Sequence, residues 1–220
     1  MTPQLYVATN GLSVWSSRDL GETISRMPSS TGLYSGSQVW ALAVHPTEPG
    51  VLFAGTDSGL YRLDHAAQQW MNLPSPMDAR LVTALAFSPD NPHVVVAGTQ
   101  PSALFRSDNA GATWTAIDTG MKPFVASGFF KGEQPVHTSV PHTGLVRHWT
   151  RVTQIVFDPQ DADLAWAGVE IDGAWRSRDG GKSWMRTSEG LKNEDVHGLA
   201  VIRDGGRVLL ATTAGGLHVS

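Results

Sequence analysis

Short apolar runs of about five residues recur along the whole chain, and turn residues separate them. One group of three runs starts at Val39, Val51 and Gly59, and further groups repeat its order along the sequence. The runs are too short and too often interrupted by glycine for helices, and none keeps a 3.6-residue period. Short apolar segments bounded by turn residues are typical of strands. We therefore predict an all-β chain with very little helix.

Each unit consists of three runs and a fourth that begins near a tryptophan, which predicts a four-stranded antiparallel meander, the blade of a β-propeller. We predict about five such blade units in a single domain that covers 1–220. The first unit lacks an innermost strand and the last lacks an outermost strand, so we expect the ring to be incomplete or closed by dimerisation through open blade edges. The units lie at about 4–27, 38–73, 81–117, 151–187 and 195–220.

A turn motif of the form Ser-x-Asp/Asn-x-Gly recurs in three of these units. Asp or Asn accepts hydrogen bonds from nearby backbone N–H groups, and glycine takes a positive φ without steric cost, so each copy predicts a hairpin tip. We call the three copies the corner motifs. Their residues are Ser17, Asp19 and Gly21; Ser107, Asn109, Gly111 and Trp114; and Ser177, Asp179, Gly181 and Trp184.

The corner motifs resemble the Asp-box, or BNR repeat, of sialidase-like (WD40/YVTN/BNR-like) β-propellers. That resemblance implies structural turns on the rim of the propeller, away from any active site. It also implies two kinds of function, namely non-catalytic propellers such as assembly factors and sorting receptors, and glycoside hydrolases of the sialidase-like superfamily. Asp-box propellers that cleave xyloglucan use two propellers with a cleft between them.

Composition narrows the classes of function. The formal net charge is -4 and no basic stripe occurs, so we expect no nucleic-acid binding. The chain has no cysteine, which excludes disulfides and thiol catalysis, and nothing in the sequence requires a cofactor. No apolar stretch is long enough for a transmembrane helix. The chain as given shows no signal peptide, so we expect a cytoplasmic protein.

An insertion at 118–150 interrupts the repeat and carries three histidines. Long loops that interrupt a repeat commonly lie on one face and bind ligands. Three hypotheses apply to His137, His142 and His148: solvent-facing loop residues, ligand contacts, or a metal site that also includes His197. Their spacing matches no standard metal-ligand signature.

Candidate site residues lie where the innermost strands begin, because the loops there form the usual ligand face of a propeller, and in the loops from the second strand to the third. Glu170 and Asp172 are the candidate catalytic carboxylates, and Asp195 is a further polar residue at the start of an innermost strand. The arginine cluster and the Tyr–Glu pair of a sialidase are not found. The candidate ligand-binding residues are Trp40, Arg80, Gln100, His142, His148, Arg151, Glu170 and His197.

Three functions follow from these observations. The first is a non-catalytic binding or scaffold propeller that holds a protein partner or small ligand at its channel face or insertion. The second is a carbohydrate-active glycoside hydrolase of the sialidase-like superfamily. The third is a metal-dependent hydrolase or lyase that uses His137, His142, His148 or His197. Fold alone does not choose between them.

Overall fold

The computed structural model describes residues 4–64, 66–126 and 147–220. Antiparallel strands dominate this part of the chain, and its one helical element is a 3-10 turn at Ser29–Thr31. The prediction of an all-β chain with very little helix is therefore confirmed for the described residues. In the same ranges, no helix has both the length and the apolar character needed to span a membrane.

In the described residues, five sheets of three or four strands follow one another in chain order, besides a two-stranded sheet at the insertion, and each of the five is a meander of consecutive strands. The first sheet contains β1 (Leu5–Ala8), β2 (Val14–Ser17) and β3 (Ser25–Arg26). The second contains β4 (Val39–Val44), β5 (Leu52–Thr56), β6 (Gly59–Asp64) and β7 (Gln69–Leu73). The third contains β8 (Leu81–Phe87), β9 (Val95–Gln100), β10 (Leu104–Ser107) and β11 (Thr115–Ile117).

The remaining strands complete the pattern after the insertion. Within the insertion, β12 (Phe124–Ala126) pairs with β13 (Arg147–Trp149). The fourth sheet contains β14 (Arg151–Asp158), β15 (Asp161–Glu170), β16 (Gly173–Ser177) and β17 (Met185–Arg186). The fifth contains β18 (Val196–Arg203), β19 (Arg207–Thr213) and β20 (Gly216–Val219). The three middle sheets have four strands, and the first and last have three.

The sheets pack side by side through their first strands. Strand β4 contacts β8, β8 contacts β14, and β14 contacts β18, so these four strands are the inner strands of the array. Buried apolar clusters fill the spaces between neighbouring sheets rather than within one sheet. This side-by-side arrangement of meanders is the one expected of propeller blades. Association of two copies through open blade edges stays a prediction.

A glycine on the second strand of each middle sheet lets the next inner strand approach. A methyl group on Gly98 would lie 2.4 Å from Val152 Cγ1, and one on Gly168 would lie 2.7 Å from Val196 Cγ1. Real Cβ atoms are essentially never that close to a neighbour. Glycine at these positions therefore reflects close packing of adjacent sheets.

The three corner motifs share one hydrogen-bond geometry. They lie in the turns between β2 and β3, between β10 and β11, and between β16 and β17. The serine hydroxyl donates to the Asp or Asn side chain at 2.7, 2.9 and 2.8 Å. The same oxygen accepts the glycine N–H at 2.8, 2.9 and 2.8 Å. In the first motif, hydrogen bonds from Thr23 and Ser17 lower the pKa of Asp19 to about 2. The hydrogen bonds within each corner motif thus stabilise its turn.

Candidate active site

One β-bulge occurs near the start of each inner strand, and it sets apart a residue whose type changes from sheet to sheet. The register shifts lie between Val39 and Ala41, and at the equivalent places in β8, β14 and β18. Bulges are common next to active sites because they redirect a side chain. The bulged residues are Trp40, Thr83, Thr153 and His197.

At two of the four bulges, a threonine hydroxyl forms a hydrogen bond to the neighbouring sheet. Thr83 Oγ1 donates to the carbonyl oxygen of Val152 at 2.7 Å, and Thr153 Oγ1 donates to that of Val196 at 2.8 Å. Threonine at these places therefore has a structural role. Trp40 and His197 have side chains unsuited to that hydrogen bond, so the first and last inner strands present other chemistry at the same end of the array.

Arg151 and Glu170 form an ion pair at this end of the fourth sheet. They face each other across β14 and β15, with Arg151 Nε 3.2 Å from Glu170 Oε2, and each side chain is 19% exposed. The Arg151 guanidinium also lies over the Trp40 ring, 4.9 Å from its centroid. Trp40 belongs to the second sheet and Arg151 to the fourth, so this contact joins sheets that are not neighbours. A cation over an indole face is favourable.

A second group lies beside this pair. One side-chain ligand atom from each of Glu170, Asp195 and His197 lies within 4.8 Å of the other two. His197 Nε2 is 3.4 Å from Asp195 Oδ2. Asp195 Oδ1 is buried and accepts no hydrogen bond from the described residues. We call Trp40, Arg151, Glu170, Asp195 and His197 the inner-strand cluster.

The inner-strand cluster combines two carboxylates, one guanidinium, one imidazole and one indole. Its three possible metal ligands are Glu170, Asp195 and His197, since carboxylate oxygen and imidazole nitrogen both bind divalent cations. Arg151 places a positive charge against Glu170, however, and opposes a cation there. Two adjacent carboxylates with cationic and imidazole neighbours are better suited to proton transfer at a polar substrate.

Asp172 occupies a separate buried position at the turn between β15 and β16. Its side chain is 5% exposed, its Oδ2 accepts the Lys122 N–H at 3.3 Å, and Arg186 Nε lies 3.7 Å from Oδ1. Burial raises the pKa of Asp172, and the Lys122 hydrogen bond and the Arg186 charge offset that only in part. Arg186 also holds Glu194 at 2.5 Å, so it links two carboxylates.

The structure brings together four of the predicted site residues, Trp40, Arg151, Glu170 and His197, and adds Asp195 to them. Arg80 instead donates to the carbonyl of Pro101 at 3.3 Å. Gln100 pairs with Leu81 at the equivalent end of the third sheet. The predicted candidates His137 and His142 lie outside the described residues, as does the side chain of His148. No sequence signal indicates that Arg151 reaches Trp40, since the two residues lie in different repeats.

Comparison with known proteins identifies related enzymes but no family. No protein-family model matches the chain. A xyloglucanase of Hypocrea jecorina is 29% identical over 119 residues, which covers 53% of this chain and 14% of the relative. A probable oligoxyloglucan-reducing end-specific xyloglucanase of Neosartorya fischeri is 25% identical over 198 residues, which covers 70% of this chain and 24% of the relative. The chain therefore spans less than a quarter of these relatives' length.

Solved structures establish the fold. An ancestral GH74 enzyme superposes with a TM-score of 0.67 at 18% identity, covering 99% of this chain and 29% of that one. A GH74 xyloglucanase from Xanthomonas campestris superposes with a TM-score of 0.59 at 20% identity, covering 95% of this chain and 31% of that one. The chain has a β-propeller fold, as its sequence predicts.

These comparisons correct the expected function. The expectation of a non-catalytic binding or scaffold propeller is wrong, because the sequence relatives are named xyloglucanases. The alternative expectation, a glycoside hydrolase, agrees with them better. Binding propellers and hydrolytic propellers share the same blade repeat, so the repeat that dominates the sequence could not separate them.

Proposed function

We propose that this chain is part of a glycoside hydrolase that acts on a xyloglucan-type polysaccharide, with Glu170 and Asp195 as its carboxylates. The observation that carries the proposal is the approach of these two side chains to within 4.8 Å at the end of the inner strands. Most glycoside hydrolases cleave with a pair of carboxyl groups that flank the glycosidic bond. The names of the sequence relatives support the choice of polysaccharide.

The surroundings of the two carboxylates support a proposed role for each. Arg151 fixes the orientation of Glu170 and balances its charge, which suits Glu170 to act as the ionised base or nucleophile. Asp195 has one buried oxygen that accepts no hydrogen bond within the described part of the chain, which suits it to carry the proton of the general acid. His197, with 46% of its side chain exposed, can pass protons between Asp195 and solvent.

Trp40 supports the ion pair in this proposal. The Arg151 guanidinium lies 4.9 Å from the centroid of its ring, so Trp40 helps to hold the arginine that orients Glu170. The resemblance to two-propeller enzymes with a cleft between the propellers fits the small share of its relatives that this chain covers. The chain would then supply one wall of the cleft, the wall that bears the carboxylates.

We also propose that the five sheets are five blade units of one propeller whose ring does not close within this chain. Contacts between successive inner strands support one continuous array. Among the described residues, the first sheet has no strand equivalent to β4, β8, β14 and β18, and the last has none equivalent to β7, β11 and β17.

Hydrolysis of xyloglucan, measured as new reducing ends, and calorimetric binding of xyloglucan oligosaccharides test the proposed function. Glu170→Gln and Asp195→Asn should each lower the rate by about 10²–10⁴-fold and leave oligosaccharide binding within a few-fold. Asp57→Asn is the matched control and should keep the parent rate. Asp57 is an exposed carboxylate directly after the second strand of its sheet (β5), and Glu170 ends the second strand of its own sheet (β15). Absence of both binding and hydrolysis in the parent chain, or full activity in both variants, would contradict the proposal.

A further inference from the structure

Two buried polar residues flank the ion pair of the candidate site. Thr150 directly precedes Arg151, the first residue of β14, and is 0% exposed. Asp172 lies two residues after Glu170, the last residue of β15, and its side chain is 5% exposed. Buried polar groups in folded proteins almost always have hydrogen-bond partners. The partners of these two residues therefore determine how the ends of the two strands are held.

Both residues bind the same peptide segment at the base of the insertion. Thr150 Oγ1 donates to the carbonyl oxygen of Lys122, and Asp172 Oδ2 accepts the N–H of Lys122 at 3.3 Å. The Thr150 N–H donates to the carbonyl oxygen of Pro123 at 3.2 Å. The hydroxyl of Ser102, from the turn between β9 and β10, also donates to the Lys122 carbonyl at 2.9 Å and lies 2.5 Å from Thr150 Oγ1. We call Ser102, Lys122, Thr150 and Asp172 the anchor group, because they connect the insertion to the third sheet and to both strands of the ion pair.

The turn that follows Glu170 has a strained backbone. Ile171 lies between Glu170 and Asp172, is 8% exposed, and has a φ of 70°, which is an outlier for a β-branched residue. The next carbonyl oxygen, that of Asp172, accepts from Trp175 Nε1 at 3.3 Å and from Arg186 Nε at 3.2 Å. Strained backbone of this kind persists only where surrounding contacts hold it, and it is common at functional sites. The contacts of Asp172 therefore also fix the direction of the chain directly after Glu170.

We propose that Thr150 and Asp172 are positioning residues that hold Arg151 and Glu170 in the geometry of the proposed hydrolysis. Arg151 Nε lies 3.2 Å from Glu170 Oε2, and the anchor group fixes the residue before the arginine and the turn after the glutamate. Both positioning residues are buried, so they act through the ion pair and do not contact substrate. A displacement of about 1 Å at a reacting group can lower a rate by about 10²-fold. The inference rests on the proposed function and deepens it.

Thr150→Val tests this inference, since valine keeps the branched shape and removes the hydroxyl. The variant should lower kcat for xyloglucan by at least about tenfold and keep KM within about threefold, because the orientation of the carboxylate matters most in the transition state. Thr150→Ser keeps the hydroxyl and should restore most of the lost rate. Thr56→Val is the matched control: Thr56 is also 0% exposed, and its hydroxyl donates to the Gly59 carbonyl at 2.9 Å in the second sheet. The control should keep the parent's kcat, and an equal loss in both valine variants would contradict the inference.

A second readout does not depend on hydrolysis. Arg151 Nε faces Glu170, so hydrogen exchange at this N–H, followed by NMR and assigned with Arg151→Lys, reports how firmly the ion pair is held. Exchange should be at least about tenfold faster in Thr150→Val than in the parent, and Thr150→Ser and Thr56→Val should stay near the parent rate.

Ser102→Ala removes the other hydroxyl of the anchor group and should speed the same exchange, so it replaces Thr150→Val if that variant does not fold. Exchange at the parent rate in the folded variant would overturn the inference, as would an unchanged kcat in an active protein. An inactive parent chain would contradict the hydrolase proposal alone, because the exchange measurement still decides whether the anchor group orients the ion pair.

Discussion

The buried carboxylate of Asp158 provides the sharpest prediction of stability. Asp158 ends β14, is 0% exposed, and reaches two arginines of the last sheet. Its Oδ1 accepts from Arg203 Nε at 2.9 Å, and its Oδ2 accepts from Arg203 Nη2 at 2.5 Å and from Arg207 Nε at 2.7 Å. The backbone N–H of Gln160 donates to Oδ1 at 2.9 Å. Asp158→Asn removes the charge with almost no change in shape and weakens the link between the fourth and last sheets.

The size of the effect follows from these contacts. Hydrogen bonds to charged groups contribute about 1.5–3 kcal/mol each, and breaking a fully buried ion pair costs about 3–5 kcal/mol. The side chains of Arg203 and Arg207 are 21% and 37% exposed, so water solvates them after the substitution. Asparagine also keeps one oxygen to accept from Gln160 or an arginine. We therefore expect the free energy of unfolding at pH 7 to fall by about 2–4 kcal/mol.

Urea unfolding followed by tryptophan fluorescence measures this loss, since the chain has eight tryptophans. Asp161→Asn is the control: Asp161 Oδ2 is 3.9 Å from Arg207 Nη2 and its side chain is 43% exposed. An exposed pair of this kind is worth about 0–1 kcal/mol. Equal losses in the two variants would refute the reasoning, because they would show that burial of the Asp158 carboxylate does not matter.

The pH dependence supplies a second readout of the same substitution. Burial acts to raise the pKa of Asp158, but hydrogen bonds from Gln160, Arg203 and Arg207 outweigh it and hold the pKa below its ordinary value. The carboxylate therefore stabilises the fold above the unfolded pKa of about 3.9, and that stability is lost as pH falls through the lower folded pKa. The stability gap between parent and Asp158→Asn should stay constant from pH 7 to about pH 5 and shrink below pH 4.

Three further predictions concern packing, turns and a second carboxylate. Gly168→Ala should cost about 1–3 kcal/mol in urea unfolding, because the new methyl group meets Val196 at 2.7 Å, whereas Gly206→Ala, with open space around it, should be nearly neutral. Ser177→Ala should cost about 1–3 kcal/mol, since it leaves a buried glycine N–H of the corner without an acceptor. Burial raises the pKa of Asp172, so its ionisation lowers stability as pH rises from about 4 through the folded pKa; Asp172→Asn should gain stability relative to the parent over that interval.

The sequence predicts most of the fold because each sheet repeats the same local pattern of apolar runs and turn residues. Apolar runs that begin at Val39, Val82, Val152 and Val196 become the inner strands, and each contains the bulge at the same place. Short-range patterns of this kind determine strands and turns without knowledge of distant contacts. The number of blades in a ring depends instead on the angle between neighbouring sheets, which no single repeat encodes.

The candidate site was predictable only in part, for the same physical reason. Arg151 and Glu170 face each other because one hairpin connects their strands, so their pairing follows from the register of β14 and β15. The approach of Asp195 to Glu170, and of Arg151 to Trp40, depends on how separate sheets are oriented. Sequence reasoning therefore paired Glu170 with Asp172, its neighbour in the chain, whereas the structure places Asp195 beside Glu170 and gives Asp172 different partners.

Comparing equivalent positions of the repeat distinguishes residues that serve packing between sheets from residues of the candidate site. Positions that keep one residue type in the middle sheets, such as Gly55, Gly98 and Gly168, lie where neighbouring sheets approach closely. The bulge position holds threonine in two sheets, where its hydroxyl joins two strands, but Trp40 and His197 elsewhere. A fold built from equivalent units needs no variation at such a position for stability. The bulge position lies at the same end of the inner strands as the paired carboxylates, and its change of residue type there agrees with the proposed site.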